Sequence, residues 1–267
     1  MPPSQLDSIV AQLQSAESDV IVTAVQRMRE ILPALPPPDL RRAVEALCGL
    51  FYIDLYDRPD LQLALDAAEN ALVRAGEPVI PLLIKMMEGS DIKSHFHLAR
   101  VLGRIGAPSL PHLRRVVATA EDPYSRSFAL FAIGKIKAPV VHEALVEVVG
   151  ALMHPDKEVR DSAARTLGKI VEVVPPTSLT GRRRHEIYDG LMRAIGDTQP
   201  AVRAKAIRSI GKMARFGYLD EEMRRQARSR VEALITRGEE IDWDHAFIVR
   251  REAQETLAHL SGTEADV

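Results

Sequence analysis

VRDSAARTLGKI, Val159 to Ile170, decides how the rest of the chain is read. VRAKAIRSIGKM (Val202 to Met213) and SRSFALFAIGKI (Ser125 to Ile136) repeat its order of small, apolar and charged positions. Fainter copies are SHFHLARVLGRI (Ser94 to Ile105), ALDAAENALVRA (Ala64 to Ala75), VIVTAVQRMREI (Val20 to Ile31) and VRREAQETLAHL (Val249 to Leu260). Subtracting start numbers gives spacings of 44, 30, 31, 34, 43 and 47 residues. In the clearest copy, apolar or small residues fall at Val159, Ala163, Leu167 and Ile170, offsets of four, eight and eleven. Those offsets make one stripe on an α-helix, whereas a strand would need a period of two. Column five is small in six of the seven copies (Ala24, Ala68, Ala129, Ala163, Ala206 and Ala253, with Leu98 the exception), which lets a neighbouring helix come close. Column ten is Gly103, Gly134, Gly168 and Gly211 in four consecutive copies. Glycine costs about 1 kcal/mol against alanine inside a helix, so close packing of a partner helix is the expected compensation.

A second helical segment precedes each copy, roughly 4–15, 39–53, 77–88, 108–119, 140–153, 182–195 and 220–236. Pro78, Pro108 and Pro139 open three of them, where a missing N–H costs nothing. Asp91, Asp156 and Asp197 lie in the turns between paired helices and are expected to cap or to accept turn hydrogen bonds. Repetition at this period predicts stacked helix pairs, each burying its neighbour's apolar face.

The pair, with its V-R-x-x-A-A-x-x-L-G-x-I second helix, resembles the HEAT repeat, in the short variety also seen in phycobilisome-lyase-like proteins. The resemblance implies an all-α, right-handed α-solenoid of about seven helix pairs forming one domain over 1–267. The repeats are bounded at approximately 4–35, 38–76, 77–106, 107–137, 139–174, 182–216 and 219–261. It also implies a ladder between repeats, in which a column-two arginine (Arg126, Arg160, Arg203, Arg250) meets a turn aspartate. Asp197 and Asp244 stand six residues before their arginines. His154 takes that place in repeat five, with Asp156 as the substitute.

Composition narrows function mainly by exclusion. The chain is 46% hydrophobic but only 4% aromatic, which suits helix-on-helix packing of aliphatic residues. Its single cysteine, Cys48, rules out an internal disulfide framework and a multi-cysteine zinc site, and its apolar context predicts burial. No 18-residue apolar run is present and the first residues do not read as a signal peptide, so a cytoplasmic location is expected. The formal net charge of −2 points to no polyanionic partner. Segment 178–230 nevertheless carries 13 basic and 6 acidic residues, a net of +7.

Columns four, seven and eleven share a second face of the repeated helix. They hold His97, Arg100 and Arg104 in repeat three, and Phe128, Phe131 and Lys135 in repeat four. Repeat five adds Arg165 and Lys169, and repeat six adds Lys205, Arg208 and Lys212. In HEAT-like arrays the second helices line the concave surface, so the resemblance turns this face into a basic groove with aromatic anchors. The expected function is a non-catalytic scaffold or adaptor, holding an acidic or amphipathic segment of another protein in the groove of repeats three to six. Nucleic-acid or polyphosphate binding through 178–230 is the first alternative, and a bilin lyase-like or other HEAT-like enzyme the second. No membrane partner and no cofactor are expected.

Catalytic and metal-binding constellations are poor. His142-Glu143 and His185-Glu186 occur only twice, on first helices, whereas HEAT-like deoxyhypusine hydroxylases carry such pairs on the second helix of four repeats. His95 and His97 are two apart and share no helix face. Trp243, between Asp242 and Asp244, reads as a turn before the last helix rather than the acidic aromatic groove of HEAT-like DNA glycosylases.

Overall fold

The computed structural model describes residues 4–89, 92–236 and 243–261. Fourteen α-helices and several short 3-10 turns make up the regular structure of the described residues, which contain no strand. In chain order the helices are α1 (Gln5–Gln12), α2 (Ser18–Ile31), α3 (Pro37–Gly49), α4 (Gln62–Ala75), α5 (Ile80–Gly89), α6 (Ile92–Ile105), α7 (Leu110–Thr119), α8 (Pro123–Ile133), α9 (Leu145–Ala151), α10 (Lys157–Val173), α11 (Gly181–Ala194), α12 (Pro200–Arg215), α13 (Glu221–Ala233) and α14 (Phe247–Leu260). The seven sequence copies are the even-numbered helices, and the seven preceding segments are the odd-numbered ones. The protein is an all-α solenoid of helix pairs.

The chain divides into two compact units, Met1–Val116 and Val117–Val267, with the division falling inside α7. In the first unit α4 packs against both α2 and α6. Its core holds Ala24, Met28, Leu47, Ala68, Leu72 and Leu98. Cys48 is fully buried there, and burial pushes its thiol far above the ordinary range, which suits packing and not nucleophilic chemistry. In the second unit α8, α10, α12 and α14 stack in sequence. The predicted stripe is its core: Val159, Ala163, Leu167 and Ile170 are buried, as are Val202, Ala206, Ile210 and Met213.

First helices depart from the sequence reading at their starts. Pro78 and Pro108 open 3-10 turns, Glu77–Val79 and Ala107–Ser109, which lead into α5 and α7. The segment expected to be helical from 140 is a 3-10 stretch, Pro139–Ala144, before a short α9. Proline fixes φ and supplies no N–H, and the β-branched Val140-Val141 pair favours no wide α-turn behind it. Asp156 is the N-cap of α10, accepting from the Glu158 and Val159 N–H groups, and Asp197 accepts from the Gln199 N–H at 2.8 Å. Asp91 lies outside the described residues. No described helix is long and apolar enough to cross a membrane.

Three of the four column-ten glycines, Gly134, Gly168 and Gly211, stand beside a hydroxyl from the next helix. Thr166 on α10 donates its hydroxyl to the Leu130 carbonyl of α8 at 2.8 Å. Ser209 on α12 repeats this to Ala164 on α10 at 2.8 Å, and Thr256 on α14 repeats it to Ile207 on α12 at 3.1 Å. Each accepting carbonyl lies four residues before a glycine: Gly134, Gly168, Gly211. A helical side chain leans back over that carbonyl, so a Cβ there would stand in the hydroxyl's way. At Gly168 it would collide with Ser209 Oγ, and at Gly211 it would lie 2.8 Å from Thr256 Oγ1. Leu130 O still accepts from Gly134 N at 3.1 Å, so one carbonyl uses both lone pairs. Gly168→Ala should therefore lower the melting temperature, because overpacking of about 1–3 kcal/mol exceeds the helix-propensity gain of about 1 kcal/mol. In a Ser209→Ala background the same change should cost less, since the colliding oxygen is gone. Equal costs in the two backgrounds, read from melting curves, would show that no such collision operates.

Candidate functional site

The arginine ladder forms twice. Arg160 donates from Nε to Asp197 Oδ2 at 2.6 Å and from Nη2 to Oδ1 at 3.1 Å, a two-pronged pair reaching into the next repeat. Arg203 does the same to Asp244 at 2.6 and 2.8 Å. Each arginine also returns to the carbonyls of its own turn: Arg160 to His154 and Pro155, Arg203 to Asp197 and Thr198, Arg250 to Asp244 and His245. Arg126 reaches its own turn, at the Ala120 carbonyl. Asp156 does not substitute for an aspartate at position 154: it stands two residues further on, at the N-cap of α10, where one carboxylate oxygen accepts from the Glu158 and Val159 N–H groups. Burial alone would raise the carboxyls of Asp197 and Asp244. The guanidinium of Arg160 or Arg203 and a backbone N–H outweigh it and leave both below the ordinary range.

The column four, seven and eleven residues lie on the second helices as expected, and the structure gives most of their charges an internal partner. His97, Arg100 and Arg104 of α6 converge on one carboxylate, Glu69 of α4, only 1% exposed. His97 donates to Glu69 at 2.8 Å and stacks on Phe51 with ring centres 4.8 Å apart. In the second unit Arg208 pairs with Glu252 of α14, whose side chain is 2% exposed. Lys169 and Lys212 share Glu172, at 2.9 and 2.8 Å. Burial lowers Lys212 despite that partner, and it lowers Lys205 too. Burial raises Asp161 against the pull of Lys205 and Arg165, the latter 3.8 Å away. Phe128 and Phe131 are half-buried, outside the fully buried core, and Lys135 sits 5.0 Å above the Phe131 ring.

Phe131 of α8, with Gly134, Lys135 and Lys137 just beyond its end, and Arg165, Thr166 and Lys169 of α10 wall a cavity of about 170 Å³. Lys137 follows α8, and the sequence reading did not single it out. It sits one turn-residue beyond the helical columns, where a helical wheel assigns it no face. Glu69 and Glu172 were missed as well, since only the stacking order reveals which cation each one meets.

The basic segment is partly neutralised from within. Arg182 and Arg183 bind Glu186, Arg225 binds Glu222, and Arg228 binds Glu232. Of the imidazoles considered for metal binding, three are turned to backbone and His97 to Glu69: His142 donates to the Pro139 carbonyl, His185 to Gly181 and the buried His95 to Met87. Among the described residues no group of three His, Cys, Asp or Glu side chains is placed to hold a metal ion. Asp244, beside Trp243, is committed to Arg203, and Trp243 lies under the Arg250 guanidinium at 4.3 Å. Asp242 lies outside the described residues.

Residues 110–186 match the family model for HEAT repeats. Solved structures share the fold. Kap121p superposes with a TM-score of 0.60 at 16% identity, over 96% of this chain and 34% of that one, in a D353K/E396K/D438K mutant form; a second structure has Kap121p bound to Pho4p, at a TM-score of 0.60 and 14% identity over the same shares. Phycocyanin lyase from Nostoc sp. PCC7120, solved as the CpcE–CpcF complex, gives 0.53 at 16% identity, over 67% of this chain and 97% of that one. Comparison with curated protein sequences finds no match.

The ladder sets a pH dependence. Asp197 and Asp244 are held below their unfolded value of about 3.9, so their contribution is full above that pH and is lost as pH falls through the lower folded values. Stability measured by urea titration should decline below about pH 4, and Asp197→Asn should flatten that decline while lowering stability at neutral pH. An unchanged acid slope in the variant would remove Asp197 from the account.

Proposed function

We propose that this chain, with HEAT repeats matched over 110–186, is a non-catalytic cytoplasmic adaptor that holds a segment of another protein on the second-helix face of repeats four to six. The observation that carries the reading is the pairing of half-buried aromatics with cations on that face. Phe131 of α8 lines a cavity with Lys135, Arg165 and Lys169, Phe128 stands three residues before it on the same helix, and none of these side chains belongs to the apolar stripe. Aromatics next to arginine are what interface hot spots are made of. Arg165, Lys169, Lys205, Arg208 and Lys212 supply complementarity to an acidic segment, which acts on association rate and selectivity more than on affinity. In the first unit, His97, Arg100 and Arg104 hold the corresponding sequence columns of repeat three, and their charge is spread over Glu69. Solenoids of this fold support the reading by their use: Kap121p is solved bound to Pho4p.

Phe131→Ala combined with Arg165→Ala should abolish capture of a discrete protein from native extract, while helicity and melting temperature stay near those of the parent. Capture identified by mass spectrometry and retained by the double variant would contradict the proposal, as would a variant that no longer folds, since these residues would then belong to the core.

A further inference from the structure

Most cations in the repeat-five and repeat-six columns of the second-helix face stand against an acid. Arg208 is held by Glu252, and Lys169 and Lys212 by Glu172 at 2.9 and 2.8 Å. Arg165 lies 3.8 Å from Asp161. Lys205 of α12 differs from all of these. Among the described residues it has neither a hydrogen bond nor a close ion pair. Its helix packs against α10 and α14, and both supply charges around the amine. Asp161 and Arg165 come from α10, Glu252 from α14, and Arg208 stands one turn on in α12 itself. The two acids favour the ammonium and the two arginines oppose it. Burial is the largest influence, and it holds the amine below the ordinary lysine range. Lys212 is the useful contrast: burial acts on it too, but Glu172 hydrogen-bonds its ammonium. Lys205 has the burial without the bond, and it is only half-buried, within reach of a reagent from solvent.

A lysine nitrogen attacks an electrophile only as the free amine, and desolvation beside other cations is how that form is made accessible. The same burial selects the kind of product. An amide is neutral, so acylation relieves the cost of keeping an ammonium half out of water. A carbamate would replace one charge with another, and an imine hydrolyses back in water. With an acyl thioester the amine lone pair forms a C–N bond to the carbonyl carbon, the C–S bond breaks, and the thiolate leaves with its electron pair. The proton shed by the nitrogen goes to that thiolate or to water.

We propose that Lys205, half-buried beside α10 and α14 with no bonded partner, is an acylation site that takes the acyl group of a small acyl thioester. The chemistry stands on Lys205 and its neighbours alone. Its consequence rests on the reading of this face as the partner surface, from which acylation removes a positive charge.

The test uses the full chain, S-acetyl-N-acetylcysteamine as acyl donor, N-acetyl-lysine amide as free reference, and labelling rates read site by site by mass spectrometry. Near neutral pH Lys205 should label at least about threefold faster than the reference, because a lower pKa raises the free-amine fraction in full proportion, whereas nucleophilicity falls only as about the half power, as it does for thiolates. Its rate should level off at a lower pH than that of the reference, whose amine titrates at about 10.4. The advantage should vanish in urea. Asp161→Asn removes a charge that favours the ammonium and breaks no ion pair closer than 3.8 Å, so it should speed labelling further. Labelling no faster than the reference, a profile that levels off with it, or a parental rate in Asp161→Asn would overturn the assignment. Lys205→Gln, neutral like the acylated side chain, should lose the partner that the parent captures, and Lys205→Arg should keep it. Selective labelling with capture indifferent to Lys205→Gln would keep the site and overturn its consequence. Capture that also ignores Phe131→Ala with Arg165→Ala would sink the adaptor reading and leave the acylation site standing.

Discussion

Everything in the second unit depends on how closely one repeated helix can approach the next. Three times a Ser or Thr hydroxyl crosses to a carbonyl of the preceding helix with a glycine four residues on, and at two of them, Gly168 and Gly211, a Cβ would obstruct the approach. A buried hydroxyl without a partner would cost about 1–3 kcal/mol, and one hydrogen bond contributes only about 0.5–1.5 kcal/mol net. The tie is therefore better understood as a register device than as a source of stability. It fixes where α10 lies on α8, α12 on α10 and α14 on α12, and the aliphatic stripe supplies the driving force behind that placement.

The ion pairs follow the same rule of facing the neighbour. Arg160 and Arg203 each reach one repeat forward for a carboxylate and back to the carbonyls of their own turn. Glu69 and Glu252 are buried acids that satisfy cations from the adjacent helix. A buried carboxylate without its cations would carry a heavy desolvation penalty, so these pairs specify stacking order more than they add stability. The consequence for function is a face less basic than its sequence.

The helix pairs were legible because their signal is local: Val159, Ala163, Leu167 and Ile170 declare a stripe without reference to anything else. The glycine column was legible as a close approach, but not its cause. Thr166, Ser209 and Thr256 occupy one column, two places before the glycine column, and their role emerges only when each helix is set against the one before it. Asp156 shows the limit of motif transfer. The cap and the ladder rung are different positions two residues apart in the same turn, and Asp156 stands at the cap. Glu69 was invisible for a similar reason, lying 28 residues before His97 and 35 before Arg104. On the candidate face, residue types were readable, whereas their pairing was not.

The most direct measurement places a photo-crosslinking amino acid at position 131, on the proposed face, and separately at position 193, an exposed point on the first-helix side in α11. After irradiation in intact cells, crosslinked species are identified by mass spectrometry. The account predicts a discrete protein adduct from position 131 that is absent from position 193. Adducts from position 193 with none from 131 would contradict it and move the working surface to the first helices.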